Sequence, residues 1–495
     1  MILKQLVVSF GLIFFTVAVF GQSCDCRAGF DWMKKTFEQN DAGFQYIIDK
    51  KGKGAYDYHN LQIQEKVAKA KTYEECRQVM REWLNFFRRF HLSISLGDSV
   101  QRISDALQEA ELQKAFRQVA PELIKQHEKI QWDDTYWNTY LKNIKEPGFE
   151  GLWFFSPFYK VAIVKKGTNY VGYILEGPKE APLQKGAVKL KIYPVGNGYK
   201  STIYGGNLKQ YDSAAVKWLN DRFMQVGNFY FQKLDPLYPD SPEKAKYDHF
   251  LRSRTPLLER LSAHTVYLRL PGFNISQKRA IDSLLKANDP VIRSVPNLIV
   301  DVRDNGGGAD DSYAELMKYL YTNPMREMAV ETYATPLNNQ RLLEYARDTN
   351  FSEQRRKSFL KEYEDLEQAV GKFVLLNKSS VSISHRDTVY PFPQRVAMII
   401  NGATGSSAEQ LLVDAKQSLK VKLFGTSTLG SLDMSNMTEA ASPGNEFVLT
   451  YATTKSLRLP GFMVDASGIQ PDYFIDESIP GIGWIPFVQQ TLEGN

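Results

Sequence analysis

The chain has 495 residues, with 61 Lys and Arg against 56 Asp and Glu, a formal net charge of +5. It is 43% hydrophobic and 24% charged, the balance of a globular protein, which excludes wholesale disorder, collagen and coiled-coil rods. A surplus this small over this length offers no basic stripe, so no nucleic-acid partner is expected. At about 150 residues per domain there is room for about three domains, and the 13% aromatic content predicts large cores or aromatic-lined clefts.

At the N-terminus, Lys4 precedes an uncharged, mostly apolar run from Leu6 to Phe20. That run is shorter than the roughly 20 apolar residues of a membrane span. Val19 and Gly21 are small, as the positions before a signal-peptidase cut require. Residues 1–21 therefore read as a cleaved secretory signal, giving a secreted or periplasmic protein. The alternatives are an uncleaved anchor and a lipid attached at Cys24, the latter poorly served by Gln22-Ser23. No later stretch reads as a membrane span. The three cysteines are Cys24, Cys26 and Cys76. In an oxidising compartment one pair can close, Cys76 with Cys24 or Cys26. No fourth ligand at regular spacing completes a zinc site.

Residues 22–145 read as a helical domain, with Val79, Trp83, Phe86, Phe87 and Phe90 recurring at three- and four-residue steps on one buried face of a helix that runs to Phe90. The character changes near residue 150. The run Phe158 to Leu175 reads as strand, turn, strand, and Lys189-Leu-Lys-Ile-Tyr alternates polar and apolar, so 150–235 is a β-rich insert. The Pro-rich patch Asp235 to Pro242 is a linker. In 255–480 strands alternate with helices: Thr265 to Leu270, a helix over 276–287, Asn297 to Val302, a helix from near Ser312, Arg395 to Asn401, and a helix from about Ser406. That alternation predicts an α/β core with a largely parallel sheet and crossover helices. The fully apolar strands predict a sheet covered on both faces. Residues 481–495 read as a C-terminal tail.

Three places in this frame carry chemistry. Just past a buried strand, Asp301-Val-Arg-Asp-Asn-Gly306-Gly307-Gly308 leaves backbone amides uncovered where they can meet a developing negative charge. On its own such a run is most often a turn, and without a following Gly-Lys-Ser/Thr it is no phosphate loop. At the second place, Asn401-Gly-Ala-Thr-Gly-Ser406-Ser407-Ala-Glu409, a strand ends and a helix begins. A serine there has free helix-start amides around it and suits a nucleophile, while Ser406-x-x-Glu409 is equally a capping box. The third is His91. A serine nucleophile needs a base with a pKa near working pH, but His59, His127, His249, His264 and His385 compete, and a lone His after an apolar helix is more often a capping or partly exposed residue.

Taken together, these segments resemble the C-terminal processing (tail-specific) serine peptidase family. The signature at Leu298-Ile-Val-Asp-Val-Arg-Asp-Asn-Gly-Gly-Gly308, the strand and Ser-rich turn over 396–409, the opening strand at 265–273 and the closing Gly468-Ile-Gln-Pro-Asp472 occur in the family's order. The resemblance implies a ClpP/crotonase-like core, a protein or peptide substrate and no metal or cofactor. It maps the nucleophile to Ser406, with Ser407 as the neighbouring alternative. The bacterial branch takes a Lys base from a Phe-Gly-Lys turn, whose equivalent here, Thr428-Leu-Gly-Ser431, has none; Lys420 and Lys422 have the wrong spacing. The tricorn-core-like branch uses His instead, and Arg89-Phe90-His91-Leu-Ser93 matches that context, with Phe90 where a Ser precedes the His. That branch's carboxylate maps to Asp465, which would orient His91. Backbone N–H groups of Gly306 or Gly307 and of Ser407 would hold the oxyanion. The usual PDZ module is not evident, and the 150–235 insert takes its place. Two rival functions remain open on the sequence: a catalytically silent relative binding a ligand or peptide, similar to interphotoreceptor retinoid-binding protein, and a surface protein whose β-insert binds carbohydrate or peptide.

Overall fold

The computed structural model describes residues 24–494, apart from 103–104, 106–113, 115, 117, 146–147, 156–158, 221–222, 228, 237–241, 350 and 477. The expected signal at 1–21 and most of the expected linker lie outside the described residues.

Six strands form the central sheet, in the spatial order Leu257–Arg260, Thr265–Arg269, Asn297–Asp301, Arg395–Ile400, Val421–Gly425 and Tyr473–Phe474. The first pair is antiparallel and every other neighbouring pair is parallel. Asn297–Asp301 is buried at every position because the sheet is covered on both faces. On one face Leu298, Val300, Met398 and Ile400 pack against Ile281 and Leu285 of the helix Ile275–Ala287 and Leu411 and Leu412 of the helix Ser407–Ala415. On the other, Ile299, Ala397 and Ile399 pack against Phe250 of the helix Pro242–Arg252 and Ile485, Val488 and Leu492 of the helix Trp484–Glu493. The segment expected as a C-terminal tail is thus a core helix. Its apolar residues at steps of three and four form the stripe that closes the second face. The helix expected near Ser312 is only a 3-10 turn, Asp310–Tyr313, and one helical turn, Met317–Leu320.

A second, antiparallel sheet is organised around the long strand Phe447–Ser456. That strand pairs with Met434–Ala441 along one edge, and with Ser93–Leu96 and Val330–Tyr333 along the other. The N-terminal helices Cys26–Asn40 and Tyr73–Leu84 bury Phe30, Met33, Phe37, Met80 and Trp83 against its residues Phe447, Leu449 and Tyr451. The helix before His91 therefore ends at Leu84, not Phe90. The aromatic spacing continues because a tight turn keeps Phe87 on the same core. The expected helical domain also contains the strand Ser93–Leu96, and its helix Asp134–Lys142 places Trp137 on the insert, against Val164, Val171, Tyr173 and Val188.

The insert is a closed barrel of eight antiparallel strands, Gly151–Phe155 through Phe229–Asp235, with the last strand paired to the first. Trp153, Ile163, Leu190, Met224 and Phe231 fill it, as eight strands leave an interior just wide enough for side chains. Among the described residues, no helix is long and apolar enough to cross a membrane.

Cys76 pairs with Cys26, tying the starts of the helices Cys26–Asn40 and Tyr73–Leu84 together, and Cys24 is free. The bridge spans a sequence separation of 50. Replacing Cys76 by Ser is expected to lower stability by about 2–4 kcal/mol, because the unfolded chain loses a long covalent loop. Urea unfolding under non-reducing conditions reads this directly. Cys24→Ser should leave the midpoint in place, and an equal loss from both variants would contradict the assignment.

Candidate active site

The strand Arg395–Ile400 delivers the chain to Asn401–Gly405, and Ser406 then turns it into the helix Ser407–Ala415. Ser406 has φ 56° and ψ −125°, a conformation that costs a non-glycine residue on the order of 1–3 kcal/mol and persists only when its surroundings impose it. Those surroundings are explicit. The Ser406 N–H donates to the Ser431 carbonyl at 3.1 Å and to the Glu409 carboxylate at 3.1 Å. Glu409 does far more than the cap expected of it. Fully buried, it also accepts from the Thr428 hydroxyl at 2.5 Å and from the N–H groups of Gly430 and Ser431, both at 2.8 Å. Burial pushes its carboxyl above the ordinary Glu range, and these donors oppose that push.

Thr428–Ser431 is thus bound directly to the Ser406 turn and carries no Lys. Lys420 precedes the strand Val421–Gly425, and its carbonyl bonds Val396 at the start of the neighbouring strand. Ser406 lies beyond the other end of that sheet. A five-residue strand rises about 16 Å, which removes Lys420 as a base for Ser406.

The glycine loop is tied to the same turn. Gly405 N–H donates to the Asn305 carbonyl at 2.9 Å, and the Thr404 hydroxyl to the Val302 carbonyl at 3.0 Å. Asn401 clasps Asp304 from both sides, accepting its N–H at 3.0 Å and donating to its carboxylate at 2.8 Å. Beneath the loop, fully buried Asp301 binds Arg303, Arg269 and the Tyr267 hydroxyl. Burial alone would raise the Asp301 carboxyl, but the Arg303 and Arg269 charges outweigh it and hold the pKa below the ordinary Asp value. The Asp and Arg of this signature therefore support the loop.

Gly307 has φ 98°, and a β-carbon there would lie 2.7 Å from Ser406 Cβ and 2.8 Å from Ser407 N. Only glycine permits that approach. The Gly307 N–H, expected to be free for an oxyanion, instead donates to the Asn305 side-chain oxygen at 2.9 Å. The Gly306 residue is exposed, with open space where a β-carbon would be. Among the described residues, no backbone or side-chain acceptor takes the N–H of Gly306 or of Ser407. The Ser407 hydroxyl donates to the Gly308 carbonyl at 2.9 Å, which engages it away from a nucleophile's role.

His91 follows the turn after Leu84 and has φ 52°. Its Nδ1 lies 2.6 Å from the Met434 carbonyl, across 343 sequence positions. A carbonyl can only accept, so Nδ1 carries the proton and Nε2 of the neutral ring keeps its lone pair. Burial lowers the His91 pKa. The Met434 carbonyl and the Asp465 charge pull it back up, and the Arg88 charge lowers it further.

Asp465, expected to contact the ring, instead accepts the N–H groups of Leu432, Asp433 and Met434, at 2.6, 2.7 and 3.3 Å. It therefore fixes the segment whose carbonyl receives His91, and burial holds its own carboxyl above the ordinary Asp range. Among the described residues no hydrogen bond joins the His91 ring to Ser406. The two are linked through Ser431, whose carbonyl takes the Ser406 N–H, and Met434, three residues on and at most about 10 Å away along an extended chain. Catalytic contacts are often loose until substrate binds. Nothing in the sequence signals the Met434 carbonyl, which is backbone, and Glu409 reads there only as a cap.

Residues 264–475 match the family described as Peptidase family S41, and the chain carries a domain of that family. No curated protein matches the chain. Among solved structures, mature CPAF complexed with lactacystin is 11% identical, covers 95% of this chain and 100% of its own, and superposes with a TM-score of 0.51. Mature CPAF is 11% identical, covering 95% and 98%, with a TM-score of 0.50. The photosystem II D1 C-terminal processing protease is 12% identical over 92% of this chain and 95% of its own, with a TM-score of 0.39. At these identities the likeness to CPAF is one of fold.

Glu409→Gln keeps the shape but turns an N–H₂ group toward backbone donors. It is expected to cost about 1–3 kcal/mol, the penalty for leaving buried donors unpaired, and to slow any reaction at Ser406. Thermal unfolding tests the first part, and an unchanged midpoint would contradict the role given to the carboxylate.

Proposed function

We propose that the chain is a secreted or periplasmic serine endopeptidase of the tricorn-core-like branch, with a ClpP/crotonase-like core and a site of Ser406, His91 and Asp465. The observation that carries this reading is the Nδ1 contact to the Met434 carbonyl, because it fixes the tautomer whose Nε2 can take a proton. Ser406 Oγ attacks a peptide carbonyl carbon while His91 Nε2 accepts the hydroxyl proton. The oxyanion is held by the N–H groups of Gly306 and of Ser407, the latter at a helix start. One such donor is worth about 2.7–4 kcal/mol of barrier. His91 returns the proton to the departing amine, and water hydrolyses the remaining ester by the same route. Asp465 acts through the backbone of 432–434 and through its charge on the imidazolium. The substrate is a protein or peptide, in keeping with the family.

The wild-type chain is expected to hydrolyse peptides and to be labelled by a serine-directed fluorophosphonate, and Ser406→Ala to lose both while keeping its circular dichroism. Absence of labelling in the folded wild type would favour the silent, ligand-binding reading instead.

A general base must be neutral to work, so activity rises with pH through the His91 titration. Because burial lowers that pKa, the limb should lie below the roughly 6.5 of a free His. A kcat/KM profile with its acid limb at or above that value would count against His91 as the base.

A further inference from the structure

His91 is held in its left-handed conformation by two arms, and only one of them is the Met434 carbonyl. The other is Arg88. Its Nη2 donates to the His91 carbonyl at 2.9 Å and its Nε at 3.3 Å. On its far side the same guanidinium forks onto Asp41, with Nη1 donating to Oδ1 at 2.8 Å and Nη2 to Oδ2. The Asp41 side chain is fully buried and that of Arg88 nearly so. Asp41 also accepts the Gly43 N–H at 2.8 Å and the Ala452 N–H at 3.1 Å. Ala452 lies in the strand Phe447–Ser456, which pairs with the strand after His91 and with the one beginning at Met434. Both arms are therefore anchored to one strand.

We propose that Arg88 and Asp41 are positioning residues of the Ser406 site, holding the His91 backbone so that its ring stays on Met434 with Nε2 presented to the nucleophile. This rests on the serine-peptidase reading above. The chemistry calls for these residue types. A carbonyl turned inward by a left-handed residue must find donors. A guanidinium supplies two to the carbonyl and two to a carboxylate in one rigid plane, which an ammonium cannot do. Asp41, fixed by two backbone N–H groups from different elements, sets where that plane lies. Gly43 is the gap in which the arms meet. A β-carbon there would stand 2.9 Å from Arg88 Nη1 and 3.1 Å from Met434 Cγ and Sδ. Among the described residues, the charges acting on His91 are those of Asp465 and Arg88, with Asp41 paired to Arg88, Asp433 bonded to Asp465 and Tyr46 of the helix Phe44–Lys51 beside those last two aspartates.

The test uses the full mature chain. Arg88→Lys keeps the charge and loses the fork. It is expected to lower kcat by about 10- to 100-fold, the scale of a misplaced catalytic group, with KM nearly unchanged and circular dichroism retained. Gly43→Ala, which removes no hydrogen bond, should show a smaller loss of the same kind. Added guanidinium should restore part of the activity of Arg88→Ala. An unchanged kcat in folded Arg88→Lys, or a loss lying wholly in KM, would overturn the proposal. The His91 Nδ1–H resonance, assigned with His91→Gln, reads the clamp without activity. It should shift and exchange faster in Arg88→Lys, and an unmoved signal overturns the clamp even if the wild type is active. A wild type that neither hydrolyses peptides nor reacts with fluorophosphonate, yet shows the expected resonance shift, would leave the clamp standing and remove the peptidase reading.

Discussion

Buried carboxylates satisfied by backbone N–H groups, more than by cations, hold this site in shape. Glu409 takes the N–H groups of Ser406, Gly430 and Ser431, Asp465 those of Leu432, Asp433 and Met434, and Asp433 those of Val464 and Asp465. Among the described residues, only Asp433 of these three also has a salt bridge, to Arg458. Burying such charges costs several kcal/mol unless hydrogen bonds replace water. Burial does raise Glu409 and Asp465 above their ordinary pKa values. The return is geometric. The segment 428–434 passes from one carboxylate to the next, so the carbonyls of Ser431 and Met434 are fixed. One receives the Ser406 N–H and the other the His91 ring.

The long strand Phe447–Ser456 does for the tertiary structure what the carboxylates do locally. The parallel sheet alone would place Ser406 and the glycine loop together, since both follow adjacent strand ends. It has no means of reaching residue 91. The second sheet supplies that means by pairing Ser93–Leu96 and Met434–Ala441 with opposite edges of one strand. Its hydrogen bond from Ala452 to Asp41 brings in the end of the first helix as well. The disulfide between Cys26 and Cys76 joins the two helices that lead toward Asp41 and Arg88. The N-terminal helices are therefore structurally continuous with the surroundings of His91.

Much of this was legible in the sequence where local physics governs. The parallel strands announced themselves as continuous apolar runs, because a strand covered on both faces has no polar side. The turn at Ser406 was legible from small residues followed by Glu409. The choice between Cys24 and Cys26 was also within reach. Cys26, Phe30, Met33 and Phe37 recur at helical spacing and all four are buried, so Cys26 faces the core on which Cys76 lies. What stayed hidden depends on contacts distant in sequence. The end of the helix at Leu84 was masked by aromatic residues that continue the period through a turn. The tail at 481–495 was too short a stripe to declare itself a core helix. Nothing near Asp41 or Arg88 in the sequence hints at an ion pair across 47 positions. The Gly307 amide, free on paper, is taken by a side chain two residues away.

The absence of a Lys from Thr428–Ser431 has a structural counterpart. In this chain three donors of that turn, the Thr428 hydroxyl and the amides of Gly430 and Ser431, converge on Glu409. The turn thus acts as a brace and contributes no titratable group. Any proton taken from Ser406 must go to a group brought in by another part of the fold. The segment that continues from the turn leads within three residues to Met434 and the His91 ring. The ring's Nδ1–H is committed to the Met434 carbonyl, and burial lowers the ring's pKa. Strain falls on the same two residues. His91 and Ser406 are both non-glycine residues at positive φ; the His91 carbonyl is held by Arg88, itself paired to Asp41, and the Ser406 N–H by the Ser431 carbonyl. Because that energy has to be supplied by the surrounding structure, loosening the brace or the helical layer should relax one of these two residues first.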